Sequence, residues 1–292
     1  MRLGCVILSI MASLSLYGQD ATFRTDTRLV VLNVSVFDQN GKSFRDLPQS
    51  AFTVYENGEK QTVAVFRQED VPISLGLTID NSASMTDKRD RVASAGLAMV
   101  KASNPRDEVF IINFNEKAVL AKEFTNNIKD LENALRNLDA NGETAMRDAL
   151  LLGIEHLRHH AHRDKKVLVV VTDGDDNSSV ETQAHLVETA QQNDVIVYAV
   201  GLLGAEEPES AARAKKQLTE LTQQTGGHAW FPNDVGDIGR IAPEIAREIR
   251  DQYVVAYRPS NLAADGTFRR IRVDVNVPGV LVRTRAGYYA PQ

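Results

Sequence analysis

The segment from Ile73 to Met85 constrains the fold of this chain more than any other stretch. Its first seven residues are mostly apolar and include β-branched side chains, which indicates a buried strand. The chain then breaks at Asp80 into a short polar loop, and a helical pattern follows from about Thr86. A buried strand that passes through a loop into a helix is typical of an α/β sheet with helices packed on it.

The loop after this strand carries three oxygen-bearing side chains at alternating positions, Asp80, Ser82 and Ser84. Alternate residues of an extended or gently curved segment point to the same side, so these oxygens can converge. Ligands of open α/β sheets bind at the carboxyl ends of the strands. A carboxylate and two hydroxyls suit a hard cation, magnesium above all, so the loop predicts a metal site.

Strands and helices alternate over residues 71–251, which predicts a three-layer α/β domain with a mostly parallel, Rossmann-like sheet. The flanks, residues 19–70 and 252–292, show only strand patterns. Neither flank is large enough for a comfortable core of its own. We therefore expect the flanks to pack together as one small β-sandwich-like module, with the α/β domain inserted between them.

Asn57-Gly58 separates two strand patterns within the first flank, Ala51–Glu56 and Gln61–Phe66. Asn-Gly supplies the positive φ angles that a two-residue hairpin turn needs. The two patterns are therefore predicted to pair as one hairpin.

The amino terminus has the features of a secretory signal peptide. Arg2 precedes the apolar run Leu3–Leu16, and a polar stretch begins after Gly18. We expect cleavage of residues 1–18 and export to the periplasm, the cell surface or the medium. An uncleaved membrane anchor is the alternative, although the run is short for a transmembrane span. Cys5 is the only cysteine, so the mature protein would hold no disulfide.

Two further oxygen donors are placed to join the loop after Asp80. Asp173 follows the most apolar strand pattern, Lys166–Thr172, and Thr144 lies in a glycine-containing loop before a helix. Each residue also has a plainer interpretation. Asp80 is a suitable helix N-cap or turn residue, and Thr144 is a suitable helix N-cap. Asp173 is a suitable loop aspartate that caps the next turn.

Together these residues resemble, in order and spacing, the metal-ion-dependent adhesion site of von Willebrand factor type A (VWA) domains. The resemblance covers roughly residues 71–250 and implies a Rossmann-like sheet, one magnesium or manganese ion, and protein binding rather than catalysis. The ligands that it implies are Asp80, Ser82, Ser84, Thr144 and Asp173. In this interpretation the hydroxyls bind directly and the aspartates mainly through water. A glutamate or aspartate of a partner protein then completes the octahedral coordination.

Three other segments resemble secreted bacterial VWA proteins first catalogued in acidobacteria. They are Phe52–Gly58, Thr225–Phe231 and Ala286–Pro291. This narrower resemblance also implies an exported protein.

Two other functions stay open at this point, a magnesium-dependent hydrolase and a structural envelope protein whose metal only stiffens loops. A hydrolase with Asp80 as nucleophile would lack its expected second acid, because Ser82 stands at that position. The sequence contains no Gly-x-Ser-x-Gly elbow and no phosphate-binding loop. The chain is therefore predicted not to be an enzyme. Its formal net charge of -6 argues against a nucleic-acid partner.

Two other clusters of residues have some features of metal sites, but neither is predicted to bind a metal. The acidic loop after Asp173 resembles a calcium loop, but Ser178 and Ala184 replace the required glycine and glutamate. Asp175 and Asp176 are instead expected to add negative potential to the main site or to face water. A second cluster at the end of a helix has a spacing that can bind zinc, but no third ligand is evident and a solvated helix end is favoured. Its members are His156, His159, His160 and His162.

Overall fold

The computed structural model describes residues 29–68, 70–136 and 141–292. The predicted signal peptide and Cys5 lie outside this part of the chain. The first flank contains the strands β1 Val30–Phe37, β2 Phe52–Glu56, β3 Glu59–Gln61 and β4 Val63–Arg67. The central region contains β5 Ile73–Asp80, α1 Arg89–Ala102, β6 Glu108–Phe114, β7 Ala118–Thr125, α2 Ile128–Arg136, α3 Met146–His160, β8 Lys165–Thr172, α4 Gln183–Gln192, β9 Val195–Gly201, α5 Pro208–Thr225, β10 Ala229–Trp230 and α6 Ile238–Arg250. The second flank contains β11 Tyr253–Tyr257, β12 Phe268–Val275, β13 Leu281–Arg283 and β14 Gly287–Tyr289.

The central region is a three-layer α/β domain, as predicted. Its sheet has the order β10-β9-β8-β5-β6-β7, with every neighbouring pair parallel except β6 and β7. One face packs against α1, α2 and α6, and the other against α3, α4 and α5. Every residue of β5 is buried, which agrees with its continuous apolar pattern. The core therefore surrounds the strand that leads into the predicted metal loop.

The antiparallel strand β7 was not predicted from the sequence. It lies at an edge of the sheet, where its side chains alternate between half-buried and exposed positions along most of its length. Val119, for example, is 59% exposed. An edge strand that contacts the core weakly carries a weak hydrophobic pattern, which explains the omission.

The two flanks pack together as the predicted β module. Each of its two four-stranded sheets combines strands from both flanks, in the orders β13-β1-β11-β4 and β14-β12-β2-β3. Apolar side chains from both sheets form one shared core. The fold prediction is thus confirmed, while the residue boundaries chosen for the three regions stay predictions.

The predicted hairpin is correct at its turn and wrong in its second strand. Asn57 and Gly58 have φ angles of 50° and 90°, and β2 pairs with β3 across this turn. The pairing stops at Gln61, and β4 joins β11 in the other sheet. A sequence pattern shows that Gln61–Phe66 is extended, but it does not show that the chain changes sheets at Thr62, between β3 and β4.

The β module and the α/β domain meet through a buried polar contact at the end of α6. Arg283 of β13 donates hydrogen bonds to both carboxylate oxygens of Glu248, at 3.2 and 3.1 Å. Glu248 is 6% exposed, and burial raises the pKa of its carboxyl group while Arg283 opposes that rise. Gln252, just after α6, donates to Ser35 Oγ of β1 at 3.1 Å. The last turn of α6 is therefore tied to the flanking strands.

Candidate metal centre

Asp80 and Asp173 lie side by side at the carboxyl edge of the sheet. Asp80 is the last residue of β5, and Asp173 follows β8 directly. The two strands are adjacent and parallel, with Ile79 opposite Val171. Both aspartates are fully buried, at 0% exposure. The fold therefore places two carboxylates where open α/β sheets bind their ligands.

The carboxylate of Asp80 is held by two hydrogen bonds. Its Oδ1 accepts from the backbone N–H of Ser82 at 2.8 Å, and its Oδ2 accepts from Thr172 Oγ1 at 2.5 Å. Burial raises the pKa of Asp80 to about 6, although these hydrogen bonds oppose the rise. The bond from Ser82 N–H is the local turn contact of the plainer interpretation, although Asp80 itself ends β5 and its side chain is fully buried. A buried charge of this kind is stabilised by a nearby cation.

The two serine hydroxyls connect the loop after β5 to Asp173. Ser82 Oγ lies 3.1 Å from Ser84 Oγ, and Ser84 Oγ donates to Asp173 Oδ1 at 2.8 Å. Ser82 is buried whereas Ser84 is exposed to solvent. The two serines therefore lie between the buried aspartates and the protein surface. The candidate metal site is accessible to solvent at Ser84.

Thr144 reaches the same region through its loop. Ala83 N–H donates to the carbonyl of Gly142 at 3.2 Å, and Asn141 N–H donates to the carbonyl of Asn81 at 2.9 Å. Gly142 has a φ angle of +76°, a left-handed backbone conformation that favours glycine. The N-cap of α3 is Ala145. The alternative interpretation of Thr144 as the N-cap of this helix is therefore wrong.

Thr172 and Lys88 also belong to this group of side chains, and the sequence interpretation missed both. Thr172 holds Asp80, as described above, and Lys88 Nζ donates to Asp173 Oδ2. The position of Thr172 immediately before Asp173 on a buried strand was the available signal for it. For Lys88 the signal was a lysine at the start of a helix, where the helix dipole disfavours a positive charge.

Asp175 and Asp176 form ion pairs instead of facing water. The side chain of Asp176 is fully buried, accepts from the backbone N–H of Arg147 at 2.7 Å and pairs with the Arg147 guanidinium at 3.4 Å. Asp175 accepts from Arg213 Nε at 2.7 Å. Their charges are thus balanced locally, and their main effect is to hold the loop that follows Asp173.

The prediction of a solvated histidine cluster is wrong for one of its members. His156 is 8% exposed and packs against the rings of Phe110 and Phe124, at centroid distances of 4.6 and 5.1 Å. His159 and His160 are exposed, as expected. His156 faces the core because it lies on the apolar side of α3. The positively charged residues around it obscured this position in the sequence.

The donor set at the carboxyl edge suits a hard divalent cation. It consists of carboxylate and hydroxyl oxygens, and two aspartates balance a charge of +2. Over the described ranges no three histidine, cysteine, aspartate or glutamate side chains are grouped so that they could hold a metal ion. The candidate site at the Asp80 loop differs from such a group, because it combines two carboxylates with hydroxyl oxygens.

A cavity of about 930 Å³ lies elsewhere, between the β module and the edge of the α/β domain. Its lining includes the aromatic residues Phe37 and Trp230, together with His228 and Arg283. Burial lowers the pKa of His228 to about 4, and the charge of Arg283 contributes to the shift. None of the predicted metal ligands lines this cavity.

Comparison with known proteins agrees with the fold. Residues 76–175 match the sequence profile of the von Willebrand factor type A domain. No curated protein gave a significant match. In the described part of the chain, no helix has the length and apolar character that crossing a membrane requires.

Three solved structures are similar to the chain at TM-scores just above 0.5. A von Willebrand factor type A protein from Catenulispora acidiphila has a TM-score of 0.52 and 14% identity, with 91% of this chain and 75% of that chain covered. A mutant of the PilB minor pilin from Streptococcus sanguinis has a TM-score of 0.51 and 14% identity, with 63% of each chain covered. Proximal thread matrix protein 1 from the mussel byssus has a TM-score of 0.51 and 15% identity, with 66% of this chain and 49% of that chain covered.

At these identities the likenesses concern the fold alone, and the chain spans only 63% of the length of the pilin. They agree with the α/β fold described above. The chain therefore has an α/β fold like that of von Willebrand factor type A domains, and its residues 76–175 match the profile of that domain.

Proposed function

We propose that the VWA domain binds one divalent cation, magnesium or manganese, and that the cation holds a carboxylate of another protein. The ligands of the cation are Asp80, Ser82, Ser84, Thr144 and Asp173. One observation carries the proposal: two fully buried aspartates and two serine hydroxyls converge at the carboxyl ends of adjacent parallel strands.

The residues of this group have complementary roles in the proposal. Asp80 and Asp173 balance the charge of the cation, while the hydroxyls add dipoles without adding negative charge. The bound cation supplies an electrophilic coordination position to an oxygen of the partner. Ser84 is exposed, so a glutamate or aspartate side chain can approach from its side. The proposal assigns binding and no catalysis, because Ser82 stands where a phosphatase would need its second acid.

Export is a further part of the proposal and rests on the amino-terminal sequence. The run Leu3–Leu16 and the polar stretch after Gly18 support a cleaved signal peptide. Membership of the secreted family first catalogued in acidobacteria stays a prediction of the same kind.

The first test is calorimetric titration of Mg²⁺ and Mn²⁺ into the protein from about Gln19 onward. We expect saturable binding of one ion, and loss of that binding in Asp80→Ala. Asp87→Ala is the matched control, because Asp87 is an exposed aspartate in the same loop region. If Asp80→Ala retains the wild-type affinity, the assigned ligand set is wrong.

The second test concerns the partner. An array of immobilised peptides that contain glutamate or aspartate is probed in Mg²⁺ and in EDTA, beside the same peptides with glutamine or asparagine. We expect cation-dependent binding to the acidic peptides only. Binding that is equal in EDTA would favour a structural protein, and magnesium-dependent turnover of a generic phosphoester would favour a hydrolase.

A further inference from the structure

Lys88 contacts the predicted metal site although it is not one of the predicted ligands. Its Nζ donates to Asp173 Oδ2, while Ser84 Oγ donates to Asp173 Oδ1 at 2.8 Å. Both oxygens of the Asp173 carboxylate are thus engaged. Within the ranges that the structure describes, Lys88 is the only residue that forms an ion pair with Asp80 or Asp173.

The position of Lys88 is unfavourable for the helix that it begins. Lys88 is the N-cap of α1, and its side chain makes no capping hydrogen bond. N-caps are usually serine, threonine, aspartate or asparagine, whose oxygens accept from the free N–H groups of the first turn. The positive end of the helix dipole also repels an ammonium group. The contact with Asp173 therefore offsets a local cost, which indicates that this lysine acts in the site rather than in the helix.

We propose that Lys88 is a built-in counter-ion that pairs with Asp173 in the metal-free protein and must be displaced from it by the divalent cation. The inference rests on the proposed function, because it concerns the same site. In the absence of metal, the ammonium group balances one of two fully buried aspartates. The Lys88 side chain is 15% exposed, whereas that of Asp173 is 0% exposed. The lysine thus has access to solvent when it leaves, while the aspartate stays in place to receive the cation.

Removing the charge of Lys88 should have opposite effects on the stability of the metal-free protein and on its affinity for metal. Removing the lysine charge leaves a buried carboxylate without its counter-ion, so the metal-free protein becomes less stable. The same change removes a competitor of the cation, so the affinity for metal increases. Separating one charge-assisted hydrogen bond corresponds to about 10- to 100-fold in an equilibrium constant, and we expect an affinity gain of that size.

The test measures Mn²⁺ affinity by calorimetry and metal-free stability by urea unfolding in EDTA, for wild type, Lys88→Met and Lys88→Gln. Lys101→Met is the matched control, since Lys101 is an exposed lysine in the last turn of the same helix. We expect both Lys88 variants to bind Mn²⁺ about 10- to 100-fold more tightly while unfolding at lower urea concentration. The control should leave the affinity unchanged.

A double-mutant cycle with Asp173→Asn in EDTA tests the ion pair without any metal. We expect Lys88→Met and Asp173→Asn together to cost less stability than the sum of the single variants, because either change alone already removes the pair. Additive effects would overturn the role of Lys88 as counter-ion.

The outcomes separate this inference from the proposed function. Mn²⁺ binding of equal affinity in wild type and the Lys88 variants would overturn the competition while leaving the metal site intact. Lower affinity in the Lys88 variants would mean that Lys88 supports the site structurally, and this too would overturn the inference. Binding by the variants but not by wild type would support the competition in its strongest form. Absence of binding in every protein would overturn the metal site and the competition together.

Discussion

Thr172→Val and Thr78→Val are the same chemical change at two buried positions, and the structure predicts opposite effects on stability. Thr172 Oγ1 donates to Asp80 Oδ2 at 2.5 Å, and both residues are 0% exposed. Thr78 is also 0% exposed, but its hydroxyl has no hydrogen-bond partner within the described residues. Valine keeps the branched shape of threonine at either position, so the difference isolates the hydroxyl group.

The magnitudes follow from these contacts. A hydrogen bond to a charged group contributes about 1.5–3 kcal/mol, so Thr172→Val should lose about 2 kcal/mol of unfolding free energy. Burying an unpaired hydroxyl costs stability, so Thr78→Val should gain up to about 1 kcal/mol. The difference of about 3 kcal/mol corresponds to about 6–12 °C in melting temperature for a protein of this size.

Thermal unfolding in EDTA, followed by circular dichroism, measures this difference. Mn²⁺ titration of the same variants provides a second readout, because a group that orients a ligand typically contributes 10- to 100-fold to metal affinity. We expect this loss in Thr172→Val and none in Thr78→Val. Equal melting temperatures for the two variants would refute the argument that Thr172 holds a buried, charged Asp80.

Three further predictions concern the core, the junction and the cavity. Gly76→Ala would place a Cβ atom 2.4 Å from side-chain atoms of Leu168 and Phe110, so urea unfolding should show a loss of about 1–3 kcal/mol; Gly239→Ala, which has open space, should be neutral or stabilising. Arg283→Met leaves the buried carboxylate of Glu248 unpaired and should cost about 2–4 kcal/mol, while adding Glu248→Gln should recover part of that loss; no recovery would contradict the assigned ion pair. His228 has a folded pKa of about 4 against an unfolded value of 6.5, so between these values the unfolded chain binds the extra proton and stability rises with pH. Wild type should therefore lose about 2 kcal/mol more than His228→Gln when the pH falls from 6.5 to 4, and parallel pH profiles of unfolding free energy would contradict this.

Continuous apolar runs made the main sheet predictable. β5 and β8 are buried on both faces, and a fully buried strand leaves a pattern that no amphipathic helix shares. The weaker pattern of β7 at the sheet edge and the change of sheet after Gln61 depend on tertiary neighbours. The local sequence pattern does not indicate which strands those neighbours are.

The residues of the candidate site also fall into two groups, those that local sequence predicts and those that depend on tertiary contacts. Asp80, Ser82 and Ser84 were found because their alternation is visible within five residues of sequence. Thr172 and Lys88 act through contacts with residues 92 and 85 positions away, namely Asp80 and Asp173. His156 was misjudged because its ring is enclosed by Phe110 and Phe124 from two other strands. Contacts between distant segments determine such roles, and only the folded chain brings those segments together.

The most direct test of the central claim is a Mn²⁺ titration monitored by the relaxation of water protons. A single bound ion that keeps an open coordination position exchanges water there, so the account predicts saturable binding with enhanced relaxation. Both signals should disappear in Asp80→Ala and persist in Asp87→Ala. Saturable binding without relaxation enhancement would mean a closed metal cage. Absence of binding in both wild type and Lys88→Met would mean that the buried aspartates do not form a metal site.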